Sequence, residues 1–326
     1  MSYPLPDDPL GRAWIELSGT NPMLVDQYRP TLVAFLAFDR DLNASLQGTG
    51  FVLAGNSNLA IVITARHVLT EGIAPIQRPP THATSAIFIP QRTITPSLSP
   101  EHLKVVWMGD NSVGLLNVLF ASFNSSTDIA ACIVAPQEID PPPFEPMSVP
   151  FHTVIPRVGD IVQMVSIDKM DVSELAQPED AGGRGQILKI FRRLSIRVGT
   201  VTGVYPQGYR RFKWPCFTTS IPAEPGMSGG FVYLPIADAT VAACGVVSAD
   251  CSTVESRTDQ MLCGESIIAC SWTALGLPVP EAIGNSSNHT LLDMVRSGNL
   301  DEPIGGINHL QIISDNGTVR IEMQNL

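Results

Sequence analysis

Positive charge is scarce in this chain: 20 Lys and Arg stand against 31 Asp and Glu, a formal net charge of −11 over 326 residues. Nucleic-acid backbones and anionic lipid surfaces are held by basic patches, so neither is expected as a partner. No run approaches the roughly 18 consecutive apolar residues of a membrane-spanning helix. The start, Met1-Ser2-Tyr3-Pro4-Leu5-Pro6-Asp7-Asp8, has neither the basic n-region nor the apolar h-region of a secretory signal, and a cytoplasmic location is expected. There the Asn-x-Ser/Thr sequons at Asn43, Asn124, Asn285, Asn288 and Asn316 carry no meaning as glycan sites.

Cysteine is also sparse, with six residues. Cys132 and Cys216 sit in apolar, strand-like runs and read as buried thiols. Cys244 with Cys270, and Cys251 with Cys263, would face each other across a hairpin centred near residue 257, as reduced neighbours unless the compartment is oxidising. The Cys-x6-Cys intervals lack the short knuckle spacing of structural zinc sites, so no metal is expected, and nothing suggests another cofactor.

What is present is an apolar chain, 44% hydrophobic, cut into short runs by 27 Pro and 26 Gly. Such runs bounded by turn residues predict an all-β protein. Its organising stretch is Glu224-Pro225-Gly226-Met227-Ser228-Gly229-Gly230-Phe231, a glycine-rich turn that presents one hydroxyl and leads into an apolar strand. A serine hydroxyl is a poor nucleophile at neutral pH; it needs a base for its proton and donors for the oxyanion formed on the attacked carbonyl. Glycines let backbone N–H groups converge on one point and leave room for a substrate chain.

Ser-Gly-Gly alone is most often a plain turn, so partners are required elsewhere. Ile61-Val62-Ile63-Thr64-Ala65-Arg66-His67-Val68-Leu69 places His67, a candidate general base, where a strand ends. Asn124-Ser125-Ser126-Thr127-Asp128-Ile129-Ala130 places Asp128, a candidate orienting carboxylate, at the entry to a buried strand. Asp110 and Asp140 compete for that role, but neither opens a buried strand directly. Taken singly, a strand-end His is usually structural and a Thr-Asp usually a cap. His82, His102, His152, His289 and His309 lie in polar surroundings without a motif and read as surface.

Thr64-Ala65-Arg66-His67-Val68, Asp128-Ile129-Ala130 and Pro225-Gly226-Met227-Ser228-Gly229-Gly230 resemble the three motifs of the trypsin/chymotrypsin-like serine proteases, in that family's order. The resemblance covers roughly residues 30 to 280. Gly48-Thr49-Gly50-Phe51 before the histidine and the Pro-Gly-x-Ser-Gly-Gly turn lean toward the HtrA-like and bacterial branch. Met227 departs from the digestive members, which carry an aspartate there that pairs with a newly cut N-terminus. The resemblance implies two six-stranded antiparallel β-barrels with the site between them. It implies His67 as base, Asp128 as orienter, Ser228 as nucleophile, and the N–H groups of Gly226 and Ser228 as oxyanion hole. Six residues before the nucleophile, where the family floors its primary pocket, stands Pro222 rather than an acid. Ser248 would lie beside the triad, with Ala249 and Asp250 on the pocket wall, although an outward-facing aspartate is the more ordinary reading of Asp250.

The expected organisation is an N-terminal arm (1–30), a first barrel (31–136), a Pro-rich linker (137–156), a second barrel (157–280), and a C-terminal helix and hairpin (281–326). Strands of the first barrel are read at 31–38, 50–54, 59–65, 85–89, 103–108, 115–120 and 129–135. Those of the second are read at 161–167, 187–191, 194–204, 216–221, 230–234, 241–248 and 266–272. The acidic stretch 168–184 reads as a mobile loop. Trp14 to Leu17 reads as a short helix or strand, Thr290 to Arg296 as a helix, and Leu310 to Glu322 as a hairpin around Asn316-Gly317. About fifty residues after Leu277 are too few for the PDZ domain that HtrA-like proteins carry. The function expected is a serine endopeptidase acting on a peptide or protein, held in check by specificity, latency or a regulatory protein partner. A catalytically silent peptide-binding module and an esterase using the same triad are the alternatives.

Overall fold

The computed structural model describes residues 14–20, 22–38, 44–73, 103–109, 113–123, 126–137, 144–175, 187–235, 241–250, 265–279, 289–300, 304–315 and 318–323. The run read as a strand at 85–89, the residues Asp110, Asp140, Cys251 and Cys263, and most of 168–184 lie outside them.

Six strands close the first barrel: β2 (Leu32–Phe38), β3 (Ala44–Gly55), β4 (Ala60–Ala65), β5 (Leu103–Met108), β6 (Val113–Phe123) and β7 (Ile129–Pro136), in the order β2-β3-β4-β7-β6-β5. They are preceded by a short strand β1 (Ile15–Glu16) and a helix α1 (Pro22–Tyr28). Every residue of β4 is buried, as are the first six of β7, because one face of these strands lines the barrel core and the other is covered, by the Arg66–Ile73 helix and the Val241–Asp250 strand over β4 and by that helix and Ser271–Gly276 over β7. The apolar runs Ala60-Ile61-Val62-Ile63 and Ile129-Ala130-Ala131-Cys132-Ile133-Val134 follow from that position. Helix α2 (Arg66–Ile73) starts directly after β4.

The segment between the barrels lies against both. Phe144 packs edge-on to Trp107, the Val149 N–H donates to the Val52 carbonyl at 2.8 Å, and a two-residue strand β8 (Phe151–His152) joins the second sheet. That sheet is built from β9 (Ile161–Leu175), β10 (Ile187–Tyr205), β11 (Cys216–Thr219), β12 (Phe231–Pro235), β13 (Val241–Asp250) and β14 (Ser266–Cys270). Its order, β12-β9-β10-β11-β14-β13, closes through antiparallel pairing of β12 with β13, so the second unit is also a six-stranded antiparallel barrel. β1 pairs with β10, bringing the N-terminal arm onto this barrel.

The runs 187–191 and 194–204 belong to one strand, β10. Its register against β9 shifts by one residue between Arg193 and Leu194, a bulge that leaves Asp168 as the extra residue opposite. The Arg193 guanidinium bonds both Asp168 carboxylate oxygens, at 2.8 and 2.7 Å. The polar break in hydropathy therefore marks a bulge within a strand, and the stretch expected to be a loop from residue 168 continues as β9 to Leu175. Cys270 stands opposite Gly245, one residue off the expected pairing with Cys244. Cys132, Cys216, Cys244 and Cys270 are all free and buried, and burial pushes the Cys216 and Cys244 thiols up to about 11 and about 12.

After β14 come β15 (Pro278–Val279), β16 (His289–Thr290), α3 (Leu291–Arg296), β17 (Ile304–Gly305), β18 (Leu310–Asp315) and β19 (Thr318–Met323). Thr290 starts α3 with a reciprocal capping box to Asp293. β18 and β19 form the terminal hairpin. His152 is half-buried rather than on the surface: its Nδ1 accepts the Val154 N–H at 2.9 Å, and Gly305 and Gly306 lie so close that a Cβ at either would touch its ring. Among the described residues no helix is long and apolar enough to cross a membrane.

Candidate active site

β4 and β7 run antiparallel with Ala65 opposite Ile129, and this register brings the residue after one strand next to the residue before the other. The ladder continues one step further, with the Arg66 N–H donating to the Asp128 carbonyl at 2.9 Å. His67 and Asp128 meet as a consequence. The His67 N–H donates to Asp128 Oδ1 at 3.3 Å, and His67 Nδ1 lies 2.8 Å from Asp128 Oδ2. An ionised carboxylate only accepts, so Nδ1 carries the proton and Nε2 is left as the basic nitrogen. The Asp128 side chain is 4% exposed and that of His67 27%, so the acid is sealed beneath a base that stays reachable.

Two further groups bear on Asp128. Ser248 Oγ donates to Oδ2 from the second barrel. Ser248 is the extra residue of a bulge in β13, between the pairs Val247 with Ile268 and Ala249 with Ile267, which re-aims its side chain. The Arg66 Nε lies 3.8 Å from Oδ1, and the Arg66 guanidinium stands 5.7 Å from the Trp214 ring centroid. The motif Thr-Ala-Arg-His had not marked Arg66 as part of the site.

The turn carrying Ser228 belongs to no ladder and is held by bonds from three directions. Within it, the Met227 N–H donates to the Glu224 carbonyl and the Gly230 N–H to the Met227 carbonyl, both at 3.0 Å. Against β13, the Gly229 N–H donates to the Val247 carbonyl and the Val247 N–H to the Gly230 carbonyl, both at 2.8 Å. From the first barrel, the Thr49 N–H donates to the Ser228 carbonyl at 2.7 Å and Thr49 Oγ1 to the Gly226 carbonyl at 2.8 Å. The fully buried Met227 side chain folds back so that its sulfur accepts the Glu224 N–H at 3.2 Å. Among the described residues, the two N–H groups of the turn without an acceptor are those of Gly226 and Ser228, the pair that sequence reasoning assigned to the oxyanion hole.

Close approach explains the glycines. Gly229 has φ +86°, and a Cβ there would lie 1.9 Å from the Thr49 carbonyl oxygen. At Gly48 a Cβ would lie 2.4 Å from Val68 Cγ2 and 2.7 Å from the Ser228 carbonyl oxygen. The backbone of Ser228 and the residue after His67 therefore flank the same glycine, which brings the Ser228 turn up to the helix that carries His67.

Pro222 is half-buried, and its carbonyl accepts from Arg197 Nη1 at 2.9 Å. Ala249 is half-buried beside Ser248; Asp250 ends β13, and its side chain lies outside the described residues. Sequence reasoning missed Thr49, Arg66 and Arg197. Thr49 had a signal, since a polar residue between two glycines in a buried strand needs a partner; Arg197 had none.

Two closed six-stranded antiparallel barrels joined across one shared polar site define a chymotrypsin-like fold. No family model matches the chain, and no curated protein matches it in sequence. Among solved structures, a mutant of human heparin binding protein aligns with 75% of this chain and 88% of its own length, at 13% identity and a TM-score of 0.41.

Proposed function

We propose that this chain is a serine endopeptidase of the trypsin/chymotrypsin-like type, with Ser228 as nucleophile, His67 as general base and acid, and Asp128 as the group that orients and stabilises the imidazolium. The observation that carries this reading is the His67 Nδ1 to Asp128 Oδ2 contact of 2.8 Å, set beside a serine turn whose Gly226 and Ser228 N–H groups have no acceptor among the described residues. In the reaction, Ser228 Oγ forms a bond to the scissile carbonyl carbon as its proton passes to His67 Nε2, and the developing oxyanion takes the two free N–H groups. Collapse breaks the C–N bond while His67 returns the proton to the leaving amine. Water, deprotonated by His67, then attacks the acyl ester and frees Ser228.

Met227 supports the oxyanion turn by a different means from an aspartate paired with a new N-terminus. It is anchored by burial and by its sulfur contact, so no proteolytic activation is implied. Gly48-Thr49-Gly50 supports the HtrA-like branch within the family, because Thr49 is the residue on which the turn is mounted. Pro222, Ser248 and Ala249 are uncharged, which favours an uncharged residue at the cleavage position, and the strand-lined cleft that the resemblance implies between two barrels favours an extended peptide over a small ester. A peptide or protein substrate and a restraining protein partner are the partners proposed, and no cofactor is needed.

The test is labelling by a fluorophosphonate probe, with Ser228→Ala and His67→Ala beside the parent chain. Labelling of the parent that both variants lose, together with peptide cleavage, is expected. Absence of labelling in the parent overturns the enzyme reading in favour of a silent peptide-binding module, and labelling without cleavage of any peptide in a library favours an esterase.

A further inference from the structure

Arg197 is 3% exposed in the middle of β10, and its guanidinium is used on every side. Nε donates to Glu16 Oε2 at 2.9 Å, Nη1 to the Pro222 carbonyl at 2.9 Å and Nη2 to Glu224 Oε1 at 2.6 Å. The Trp14 ring covers its face at 4.9 Å, and Asp168 Oδ2 lies 3.8 Å from Nη2. The two groups it holds beside the site, Pro222 and Glu224, belong to the segment that leads directly into the Ser228 turn. The other two, Trp14 and Glu16, belong to the N-terminal arm.

Glu16 is saturated in its turn. Besides Arg197 it accepts the Ile196 N–H at 3.0 Å, the Ser195 hydroxyl at 3.0 Å and the Ser18 hydroxyl. Burial pushes its carboxyl up, but the hydrogen bonds from Ser18, Arg197, Ile196 and Ser195 outweigh that and hold it below its usual value. A buried guanidinium stripped of one carboxylate keeps its desolvation cost and loses geometry, and only a planar fork reaches three acceptors at once.

We propose that Glu16 and Arg197 are positioning residues: the N-terminal arm, through this pair, braces the Pro222–Glu224 segment and with it the Gly226 and Ser228 N–H groups. The brace is internal and needs no cleavage of the chain. Its catalytic consequence rests on the endopeptidase reading above, whereas the mechanical link does not.

The experiment is hydrogen–deuterium exchange of the full chain, comparing Glu16→Ala, Glu16→Gln and Arg197→Lys with the parent, followed by fluorophosphonate labelling rates. Backbone exchange across 222–230 is expected to rise about 10-fold or more in Glu16→Ala and Arg197→Lys, and less in Glu16→Gln, whose amide still accepts from Arg197. Residues 60–65 of β4, in the same samples, are expected to stay unchanged. The labelling rate falls in the same order, by roughly 10-fold for Glu16→Ala, a fraction of the 10²–10³ attached to loss of a whole oxyanion donor. Exchange across 222–230 that does not rise, or rises no more than that of 60–65, overturns the brace. If the parent does not label at all, the endopeptidase reading fails, and exchange alone decides the brace.

Discussion

The two halves of the site are held by different physics. His67 and Asp128 flank neighbouring strands of one barrel, and the pairing of Ala65 with Ile129 is enough to bring them together. Ser228 sits in a turn outside any ladder, held by Thr49 from the other barrel, by Val247, by the Met227 sulfur and, through Pro222 and Glu224, by Arg197. The first half inherits the cooperativity of a closed sheet, in which a strand cannot slip without exposing its core face. The second half is a sum of separate bonds, each removable by itself. Distant changes should therefore loosen the Ser228 turn more readily than the His67–Asp128 pair.

The strongest way to break the first half is Asp128→Asn, which keeps the shape but offers an N–H₂ group where His67 Nδ1–H needs an acceptor. The wrong imidazole tautomer then faces Ser228. Activity is expected to fall about 10⁴-fold with the unfolding midpoint nearly unchanged, read from labelling kinetics alongside denaturant titration.

The second half breaks through its backbone. Gly229→Ala puts a Cβ against the Thr49 carbonyl at a φ of +86° and is expected to cost about 3–5 kcal/mol in urea unfolding, with labelling abolished. Thr49→Val, nearly isosteric, removes the bond to the Gly226 carbonyl and leaves the Ile167 N–H, now bonded to Thr49 Oγ1 at 2.9 Å, without an acceptor. A loss of about 2 kcal/mol is expected, together with a lower labelling rate, because both barrels part at the turn.

The smallest effect lies outside the site and sharpens the contrast. Burial and the neighbouring His309 hold His152 below the usual histidine value, so the folded state favours the neutral ring. Its contribution to stability is complete above about pH 6.5 and is lost as pH falls through the lowered value. The Ile304–His309 segment docked against it is expected to show lower amide protection factors, corrected for the intrinsic pH dependence of exchange, at pH 5 than at pH 7. His152→Gln should flatten that dependence while leaving the protection of residues 60–65 in β4 as it is in the parent at each pH.

Much of this was legible from residues within a few positions of one another. Apolar runs bounded by Gly, Pro and Asn located most of the barrel strands, and the helical spacing of Leu and Val within Thr290 to Arg296 marked α3. The His67, Asp128 and Ser228 motifs, each ordinary by itself, stood out through their joint order along the chain. Local patterning carries such features, since burial on a strand and the strain of a turn act through neighbouring residues.

Only the tertiary structure decided which distant residues meet. It joined 187–191 and 194–204 through the bulge opposite Asp168, shifted Cys270 to Gly245, turned Ser248 toward Asp128, packed Gly305 and Gly306 against the half-buried His152, and tied Glu16 to Glu224 through Arg197. Each is a contact or register set by the closure of a barrel, between residues whose immediate sequence carries no mark of the partner. Local patterning placed most strands and the three motifs; packing between distant residues set how the Ser228 turn is held.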